Sequence, residues 1–466
     1  MLIESSLELK KAMHSLAEIL DWVKKQNKQV EVSVKKILFE NLRDWTFDEG
    51  KTILKHKTGK FFTIEGIEVN TNWGELQQWS QPIINQPEIG YLGFITKEFN
   101  GMLHFLLQAK IEPGNVNHVQ LSPTLQATKS NYTRAHKGKA PHYLEYFANA
   151  KPQQILLDQL QSEQGARFYK KRNRNIIIKV EDEIEVLDNF IWVTLGQLKA
   201  LMAYDNVVNM DTRTVISGIP YGNYTQKQLE SLSFNFNEMG SIGQDLLNST
   251  LLTDQSFHDE DQIIQYITKQ KCKYELNVKQ MALSQLSEWL IGPDQIRHKQ
   301  NKFFRVIAVE VSIGNREVVQ WTQPMVEPAQ SGICAFVCKK INGILHFIVQ
   351  TKLECGNFDI IEFAPTVQCL TGNYQQTQAG SLPFLDYVLK ASKSQIIYDT
   401  VQSEEGGRFY KEQNRNMIIL AGEEIETKLP ENYIWMTINQ LQSFIKYNNY
   451  INIQARNLLS AITFQK

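Results

Sequence analysis

The chain repeats itself once, and this repeat restricts the possible folds more than any other feature of its 466 residues. The Leu-His-Phe segment at His104 recurs at His346, 242 positions later, and Trp79-x-Gln-Pro recurs as Trp321-x-Gln-Pro. A period this long is typical of a domain duplication, because solenoid units span only tens of residues. We therefore predict two tandem domains, residues 1–225 and 259–466, with a connector over residues 226–258.

Composition is that of a globular protein without strong charge. Hydrophobic residues make up 42% and charged residues 21%, and the formal net charge is -1. This balance gives no long-range attraction to nucleic acid. No run of about eighteen apolar residues suggests a membrane span, and the N-terminus lacks the pattern of a signal peptide. We expect a cytoplasmic protein without nucleic-acid or membrane partners.

Local patterns predict a mixed α+β fold. Asn100-Gly101 and Asn342-Gly343 lie between apolar runs, the strongest short-range signal for a hairpin. Helices are expected where apolar residues follow helical spacing. These helices cover residues 5–26, 152–163, 259–270 and 394–405. The fold class is thus two duplicated domains with mixed or antiparallel sheets and few helices.

The two Trp-x-Gln-Pro motifs are open to two interpretations. A proline fixes the backbone beside Trp79 and beside Trp321, which would suit presentation of a flat ring to a nucleobase. The more common role of a large aromatic side chain is to bury apolar area in the core.

Polar and basic segments supply further candidate ligand groups. Residues 130–134 combine hydroxyl, amide and guanidinium groups, which suit a sugar diphosphate but are also ordinary in a solvated turn. A basic run begins at Arg167 and leads into an apolar strand, so part of it could line a groove rather than a solvated face. The candidate substrate-binding residues are Trp79, Ser130, Asn131, Thr133, Arg134, Arg167, Tyr169, Arg172, Asn175, Asn206, Asn209, Arg213, Trp321, Gly372, Asn373, Tyr374, Arg408, Tyr410, Asn414, Arg415, Asn416, Asn449 and Asn452.

Familiar cofactor motifs are missing from the sequence. There is no Gly-x-Gly-x-x-Gly after a strand, no Walker loop, no Gly-x-Ser-x-Gly elbow and no His-Glu-x-x-His helix. The five cysteines lack the paired spacing of a zinc site. We predict neither a cofactor nor a metal site.

Several long motifs together resemble the NDP-hexose 2,3-dehydratases. They are Gln108-Ala-Lys110-x-Glu112-Pro-Gly-Asn115, Val119-Gln-Leu-Ser-Pro-Thr-x-Gln126-Ala-Thr128, Ser130-Asn-Tyr-Thr-Arg134 and Asn206-x-x-Asn209-Met-Asp-x-Arg213. The resemblance covers nearly the whole chain. It implies two fused Nudix-type domains, a homodimer, and loss of the C2 hydroxyl from a dTDP-linked 4-keto-6-deoxyhexose without a redox cofactor.

The Nudix comparison also shows a difference. Nudix hydrolases hold magnesium with a carboxylate-rich helix reading Arg-Glu-x-x-Glu-Glu-x-Gly, because hard cations prefer oxygen ligands. At that point this chain has Gln-Ser-Glu404-Glu405-Gly-Gly in the second half and Glu163-Gln164 in the first. Diphosphate hydrolysis therefore lacks its usual metal ligands.

Dehydration needs a base at C3, an acid for the departing hydroxide and donors for the C4 oxygen. The resemblance and this chemistry suggest Tyr132 or Lys110, then Glu112 and His136, as the acid-base groups, although a structural role is possible for each. Asn131, Arg134 and Tyr169 are candidate donors to the C4 oxygen. Thr133, Arg134 and His136 correspond to Gln375, Gln376 and Gln378, so we expect chemistry in the first half and binding alone in the second. The alternative is a single site built by motifs from both halves. The alternatives are a Nudix-like hydrolase and a nucleotide-sugar binding protein without activity.

Overall fold

The computed structural model describes residues 1–129, 141–230, 239–314, 319–370 and 382–465. The helices are α1 Leu2–Leu7, α2 Leu16–Lys28, α3 Leu144–Ala148, α4 Leu195–Leu201, α5 Met210–Ser217, α6 Gln226–Glu230, α7 Ser241–Leu251, α8 Glu260–Lys273, α9 Leu385–Leu389, α10 Ile438–Ile445 and α11 Ile453–Ser460. Within these ranges no helix is long and apolar enough to cross a membrane.

Strands carry most of the architecture. Those of the first half are β1 Val32–Ile37, β2 Trp45–Phe47, β3 Leu54–His56, β4 Thr63–Thr71, β5 Gln78–Asn85, β6 Gly90–Phe99, β7 Met102–Ile111, β8 Val119–Ser122, β9 Leu125–Ala127, β10 Ile155–Ser162, β11 Phe168–Tyr169, β12 Arg172–Lys179 and β13 Phe190–Thr194. Those of the second half are β14 Leu276–Met281, β15 Trp289–Ile291, β16 Gln295–His298, β17 Phe304–Ile313, β18 Gln320–Pro328, β19 Gly332–Ile341, β20 Ile344–Lys352, β21 Glu362–Ala364, β22 Val367–Leu370, β23 Ile396–Ser403, β24 Gln413–Leu420 and β25 Tyr433–Met436.

Each half contains one seven-stranded mixed sheet. The first runs β10-β12-β6-β7-β13, with β8 on β7 and β9 on β6, and its counterpart runs β23-β24-β19-β20-β21, with β22 on β19 and β25 on β20. The β6–β12 and β19–β24 pairs are parallel, and the other pairs in these two sheets are antiparallel. The predicted α+β class with mixed sheets is confirmed.

Both predicted hairpins are present. Asn100 and Gly101 have φ of 51° and 77°, and Asn342 and Gly343 have φ of 51° and 84°. Two consecutive residues at positive φ define the turn whose twist matches the flanking strands, and Asn-Gly is the pair that adopts it most readily. Each turn joins the two long strands that cross the centre of its sheet.

The halves exchange a strand. β1 pairs with β17 of the second half, and β14 pairs with β4 of the first, both antiparallel. Two smaller sheets are therefore built from both halves. The predicted domain limits remain a prediction, but the units they describe are interleaved rather than separately closed.

Two of the predicted helices are wrong. Residues 155–162 and 396–403 form β10 and β23, each paired with the strand that follows it, β12 or β24. Their apolar spacing does not distinguish helix from strand, and pairing with the Ile176–Ile178 run decides for the strand.

The other two predicted helices, at residues 5–26 and 259–270, and the predicted connector all contain helical structure. Residues 5–26 form parts of two helices, because Ser15 begins α2 with a capping box to Glu18. The helix predicted at residues 259–270 is confirmed as α8, capped by Asp259. The connector contains α7, where Ser249 Oγ donates to the Leu345 carbonyl of β20 at 2.6 Å.

Two glycine loops lock the halves together. Gly114 N–H donates to the Gly406 carbonyl at 2.7 Å, and Gly356 N–H donates to the Gly165 carbonyl at 2.7 Å. A Cβ on Gly114 would lie 1.6 Å from the carbonyl oxygen of Phe409, so no larger residue fits. Each Glu-x-Gly-Asn loop thus contacts the opposite half, at the point where the polar ends of β7 and β20 lie.

Candidate active site

Lys110 and Glu112 lie together at the end of β7, as their spacing of two residues on one strand predicts. Lys110 Nζ is 3.6 Å from Glu112 Oε1. Gln126 of β9 donates to Glu112 Oε1 at 2.9 Å, and its carbonyl accepts from Lys110 Nζ at 3.5 Å. The sequence-predicted pair therefore forms a polar network with the neighbouring strand.

The N-terminus of α5 joins this network. Asn209 caps the helix by accepting from Thr212 N–H at 2.8 Å. Its amide donates to Ser122 Oγ at 3.0 Å and to Gln126 Oε1 at 3.2 Å. Asn209, predicted as a substrate-binding residue, here fixes the start of the helix against the Gln126 side chain.

Asp211 follows this cap in the first turn of α5. It is 3% exposed. Burial, and then the charges of Glu163, Glu405 and Glu112, raise the pKa of its carboxyl well above the usual range, while Lys110 opposes the shift.

The opposite half contributes Glu405 and Arg408. Glu405 accepts from Arg408 Nε at 2.8 Å and from Gly407 N–H at 2.9 Å. A Cβ on Gly407 would lie 2.4 Å from Glu405 Oε1 and 3.6 Å from Glu112 Oε1, so the two carboxylates flank the same glycine. Arg408 also donates to Gln86 of the first half. The candidate site is thus assembled from both halves.

Glu163 completes the set of acids. It accepts from Asn173 Nδ2 at 2.5 Å, and its Oε2 is buried without a partner among the described residues. Burial raises the pKa of Glu163, Glu405 adds to that shift, and Arg408 opposes it. We call Lys110, Glu112, Glu163, Asp211 and Glu405 the first-half cluster.

The second half repeats the scaffold of this network. Lys352 Nζ donates to the Gln368 carbonyl at 3.3 Å, and Gln368 Nε2 donates to Glu354 Oε1 at 2.9 Å. Asn452 caps α11 and donates to Gln368 Oε1 at 2.7 Å. We call the corresponding set the second-half cluster: Lys352, Glu354, Glu404, Gln454 and Gln164.

Two positions distinguish the clusters. Gln454 stands where the first half has Asp211, and Gln164 stands where the second half has Glu405. Gln164 Nε2 donates to Glu404 Oε2 at 3.2 Å, so that carboxylate has the partner that Glu163 lacks. Sequence reasoning missed Asp211 and Glu405 as functional candidates. The signal was present, because both are acids where the other copy has an amide.

Several predicted binding residues make contacts between or within the halves. Arg167 stacks over Phe304 at 4.2 Å, and Arg172 over Phe358 at 4.1 Å. Arg213 donates to the Ser403 carbonyl. The remaining first-half candidates lie as follows: Asn206 donates to Gln413 Oε1 at 2.9 Å, Tyr169 packs on the apolar cluster of Trp79, and Asn175 is buried with both amide atoms unpartnered in the described structure.

The second-half candidates are placed similarly. Asn414 donates to Glu404 Oε1 at 2.6 Å, and Asn416 donates to the Asn414 carbonyl at 2.9 Å. Arg415 pairs with Asp399 at 2.6 Å, Tyr410 lies under Lys36 Nζ at 5.5 Å, and Asn449 has φ of 65°. A single diphosphate groove built from the basic run stays a prediction.

Both motif tryptophans are half-buried and brace a loop. Trp321 Nε1 donates to Gln323 Oε1 at 2.7 Å, and Gln323 Nε2 donates to the Gly407 carbonyl at 2.7 Å. Trp79 and Gln81 repeat this arrangement at 3.0 Å, with Gln81 reaching the Ala166 carbonyl at 3.1 Å. The Trp321 motif therefore positions the loop that carries Glu405, and the Trp79 motif positions the loop that carries Gln164. Stacking on a base stays a prediction.

Nine candidates lie outside the described residues, so the structure does not place them. They are Ser130, Asn131, Tyr132, Thr133, Arg134, His136, Gly372, Asn373 and Tyr374. Across the described ranges, no three His, Cys, Asp or Glu side chains converge closely enough to hold a metal ion.

Comparison with known proteins assigns the family. The model of NDP-hexose 2,3-dehydratase matches residues 16–219 and again residues 260–462. The chain belongs to the NDP-hexose 2,3-dehydratase family, and the double match coincides with the repeat. It is therefore a dehydratase, a hydro-lyase.

Curated relatives match almost end to end. A dTDP-4-dehydro-6-deoxy-alpha-D-glucopyranose 2,3-dehydratase of Saccharopolyspora spinosa is 42% identical over 99% of this chain and 94% of its own length. Proteins of the same name from Amycolatopsis orientalis and Streptomyces violaceoruber are each 39% identical, over 96% and 91% of this chain and 89% and 91% of their own lengths. Among solved structures, a crystal structure of an ADP compounds hydrolase matches with a TM-score of 0.22 at 12% identity, over 34% of this chain and 83% of that chain.

Proposed function

We propose that this chain removes water from dTDP-4-keto-6-deoxyglucose, taking the hydroxyl from C2 and the hydrogen from C3, to give dTDP-3,4-diketo-2,6-dideoxyglucose. The observation that carries the proposal is the near-complete match to three relatives named for action on this sugar nucleotide. The reaction would serve deoxysugar biosynthesis.

The substrate makes this chemistry accessible without an external oxidant. The C4 ketone acidifies the C3 hydrogen, so a base can remove it and leave the electron pair in an enolate. Expulsion of the C2 hydroxyl forms an enol, which becomes a ketone at C3 when C2 gains a proton. The protein must supply a base, an acid, and donors to the C4 oxygen.

We place this chemistry in the first half. Lys110 and Glu112 are candidate acid-base groups, and their contact with each other and with the Gln126 network supports a preorganised site. Tyr132 and His136 stay candidates from the sequence, as do Asn131, Arg134 and Tyr169 as donors. The second half, with Trp321, Asn373 and Tyr374, is proposed to bind a sugar nucleotide without turning it over.

The proposed enzyme is independent of metal and of nicotinamide. The expected result is loss of one water from dTDP-4-keto-6-deoxyglucose, followed by mass spectrometry, at the same rate with and without EDTA and without added NAD. Activity abolished by EDTA and restored by magnesium would contradict the proposal. Magnesium-dependent release of dTMP would favour a hydrolase, and tight binding without turnover would favour a binding protein.

We also propose a homodimer in the cytoplasm, on the strength of the family resemblance. Light scattering coupled to size exclusion tests the dimer, which predicts twice the 53.8 kDa mass of the chain.

A further inference from the structure

The two halves meet at a pair of equivalent contacts between strands. Ser162, the last residue of β10, donates from its hydroxyl to Glu362 Oε2 of β21 at 3.1 Å. Ser403, the last residue of β23, donates to Gln120 Oε1 of β8 at 2.9 Å. The repeat relates the two serines to each other and Gln120 to Glu362. We call these the Glu362 contact and the Gln120 contact.

An arginine completes each contact in the same way. Arg456 of α11 donates to the Ser162 carbonyl, and Arg213 of α5 donates to the Ser403 carbonyl. The frame is therefore the same on both sides, and the two contacts differ in having a carboxyl on one side and an amide on the other.

The carboxyl of Glu362 is incompletely hydrogen-bonded. The residue is 1% exposed, and its Oε1 is buried without a hydrogen-bond partner in the described part of the chain. Gln120 is equally buried, but its amide nitrogen donates to Asn117 Oδ1 at 3.2 Å. An amide stays neutral at every pH, whereas a buried carboxylate without enough donors costs folding free energy. The Glu362 contact is thus most favourable when the carboxyl is neutral.

The charged groups around Glu362 lie on four elements. They are Lys352, opposite Glu362 on β20, with Glu354 two residues further on, Arg456 of α11, Lys271 of α8, and Glu163 next to Ser162. Lys271 is already paired with Asp359 at 2.6 Å. Burial raises the pKa of Glu362 to about 7, against the charge of Arg456 and with that of Glu354.

We propose that the Glu362 contact is a proton-dependent contact between the two halves, stabilised when Glu362 is protonated and weakened when it ionises, while the Gln120 contact is indifferent to pH. This inference does not depend on the proposed reaction. Since Lys352 of the second-half cluster lies opposite Glu362, the same proton also changes the charge beside that cluster.

The direction of the effect follows from the two pKa values of Glu362. In the folded protein the pKa is about 7, above the unfolded value of about 4.3. The stabilisation from the bound proton is therefore present at low pH and is lost as pH rises through about 7.

The test is hydrogen exchange of the full chain at pH 6 and at pH 8, read by mass spectrometry and corrected for the intrinsic rate of exchange. Protection of peptides that cover β21 and the end of β10 should fall by about tenfold between these pH values, because opening lets Glu362 ionise with its unfolded pKa. Peptides that cover β8 and the end of β23 report the Gln120 contact in the same sample and should not show this fall.

Two exchanges of side chains provide matched variants. Glu362→Gln inserts the amide that the Gln120 contact already accommodates, and it should abolish the fall in protection. Gln120→Glu should transfer the fall to the other contact. As a second measurement, the gain in Tm of Glu362→Gln over the unchanged protein should be larger at pH 8 than at pH 6.

Three results would overturn the proposal. The first is equal protection of the Glu362 contact at pH 6 and pH 8 in the unchanged protein. The second is a fall in protection that persists in folded Glu362→Gln, and the third is a difference in Tm that is the same at both pH values. The comparison of Glu362→Gln with the unchanged protein decides the matter even if Gln120→Glu does not fold.

Discussion

The two clusters share a scaffold and differ in charge. In both, a lysine, a glutamate, a glutamine and a capping asparagine form the same network. In the second-half cluster, Gln164 donates to Glu404. In the first-half cluster, Glu405 stands at that place, and an oxygen of Glu163 has no partner within the described structure. Both halves therefore keep the same frame, while the first-half cluster has two acids, Asp211 and Glu405, where the second-half cluster has amides.

The largest expected difference concerns the lysines. Lys110→Met should lower kcat by about 10² to 10⁴-fold with little change in substrate affinity, because it removes a candidate acid-base group and a positive charge beside Glu112 and Asp211. Lys352→Met, the matched change in the second-half cluster, should leave turnover nearly intact. Tyr132→Phe should likewise lower kcat far more than its matched change in the second half, Tyr374→Phe. Steady-state kinetics with calorimetric binding provides the measurement, and the reverse pattern would move the chemistry to the second half.

A smaller effect is expected when the second-half cluster is given the charge of the first. Gln164→Glu removes the donor to Glu404 and sets two buried carboxylates side by side, so we expect a loss of about 1–3 kcal/mol of unfolding free energy at pH 8. The added acid should have a raised pKa when folded. Its penalty is therefore full above that pKa and fades as pH falls toward the unfolded value of about 4.3.

Denaturant unfolding of Gln164→Glu at pH 8 and at pH 5 measures both effects. Gln164→Met is the control, because it removes the hydrogen bond without adding a charge and its loss should not depend on the charge state of residue 164. Equal stability of Gln164→Glu and the unchanged protein at pH 8 would show that the two clusters tolerate a carboxylate pair equally.

The smallest effect is expected at the tryptophans. Trp321→Phe removes the donor to Gln323, which holds the Gly407 carbonyl beside Glu405. One lost hydrogen bond is worth about 1 kcal/mol, so turnover should fall by roughly 5-fold. Trp79→Phe changes the loop of the second-half cluster and should affect turnover less.

Binding of dTDP to the same variants separates positioning from stacking. Phenylalanine retains an aromatic face, so affinity should change little in either variant if the ring stacks on the base. Trp79→Ala and Trp321→Ala should each weaken nucleotide binding by about 1–3 kcal/mol in that case. Melting temperatures identify a purely structural loss.

Local signals predicted part of this structure, and contacts between distant residues decided the rest. The Asn100-Gly101 turn is specified by two adjacent residues, and the repeat is found by comparing the two halves of the sequence. Residues 155–162 are a strand because they pair with β12, which no local pattern reveals. The exchange of β1 and β14 is equally hidden, since each could extend the corresponding edge of its own half.

The candidate site follows the same division. Lys110 and Glu112 were predicted because they are two residues apart on one strand. Glu405 comes from the opposite half and lies near Glu112 at the glycine loops. Asp211 and Glu405 are marked as candidates only when one copy is compared with the other. The sequence identifies each of these residues as an acid, but it does not predict which residues surround it in the fold.

The strand exchange also determines when the sheets of the first half can be completed during protein synthesis. About 270 residues separate the end of β1 from the start of its partner β17, so at about 5–20 residues per second the ribosome needs tens of seconds to deliver that partner. For most of this interval β4 also lacks β14, its partner from the second half, and presents an open edge to the surrounding solution. We therefore expect a nascent first half to bind chaperones. Truncation before residue 276 should yield an aggregation-prone fragment rather than a smaller enzyme.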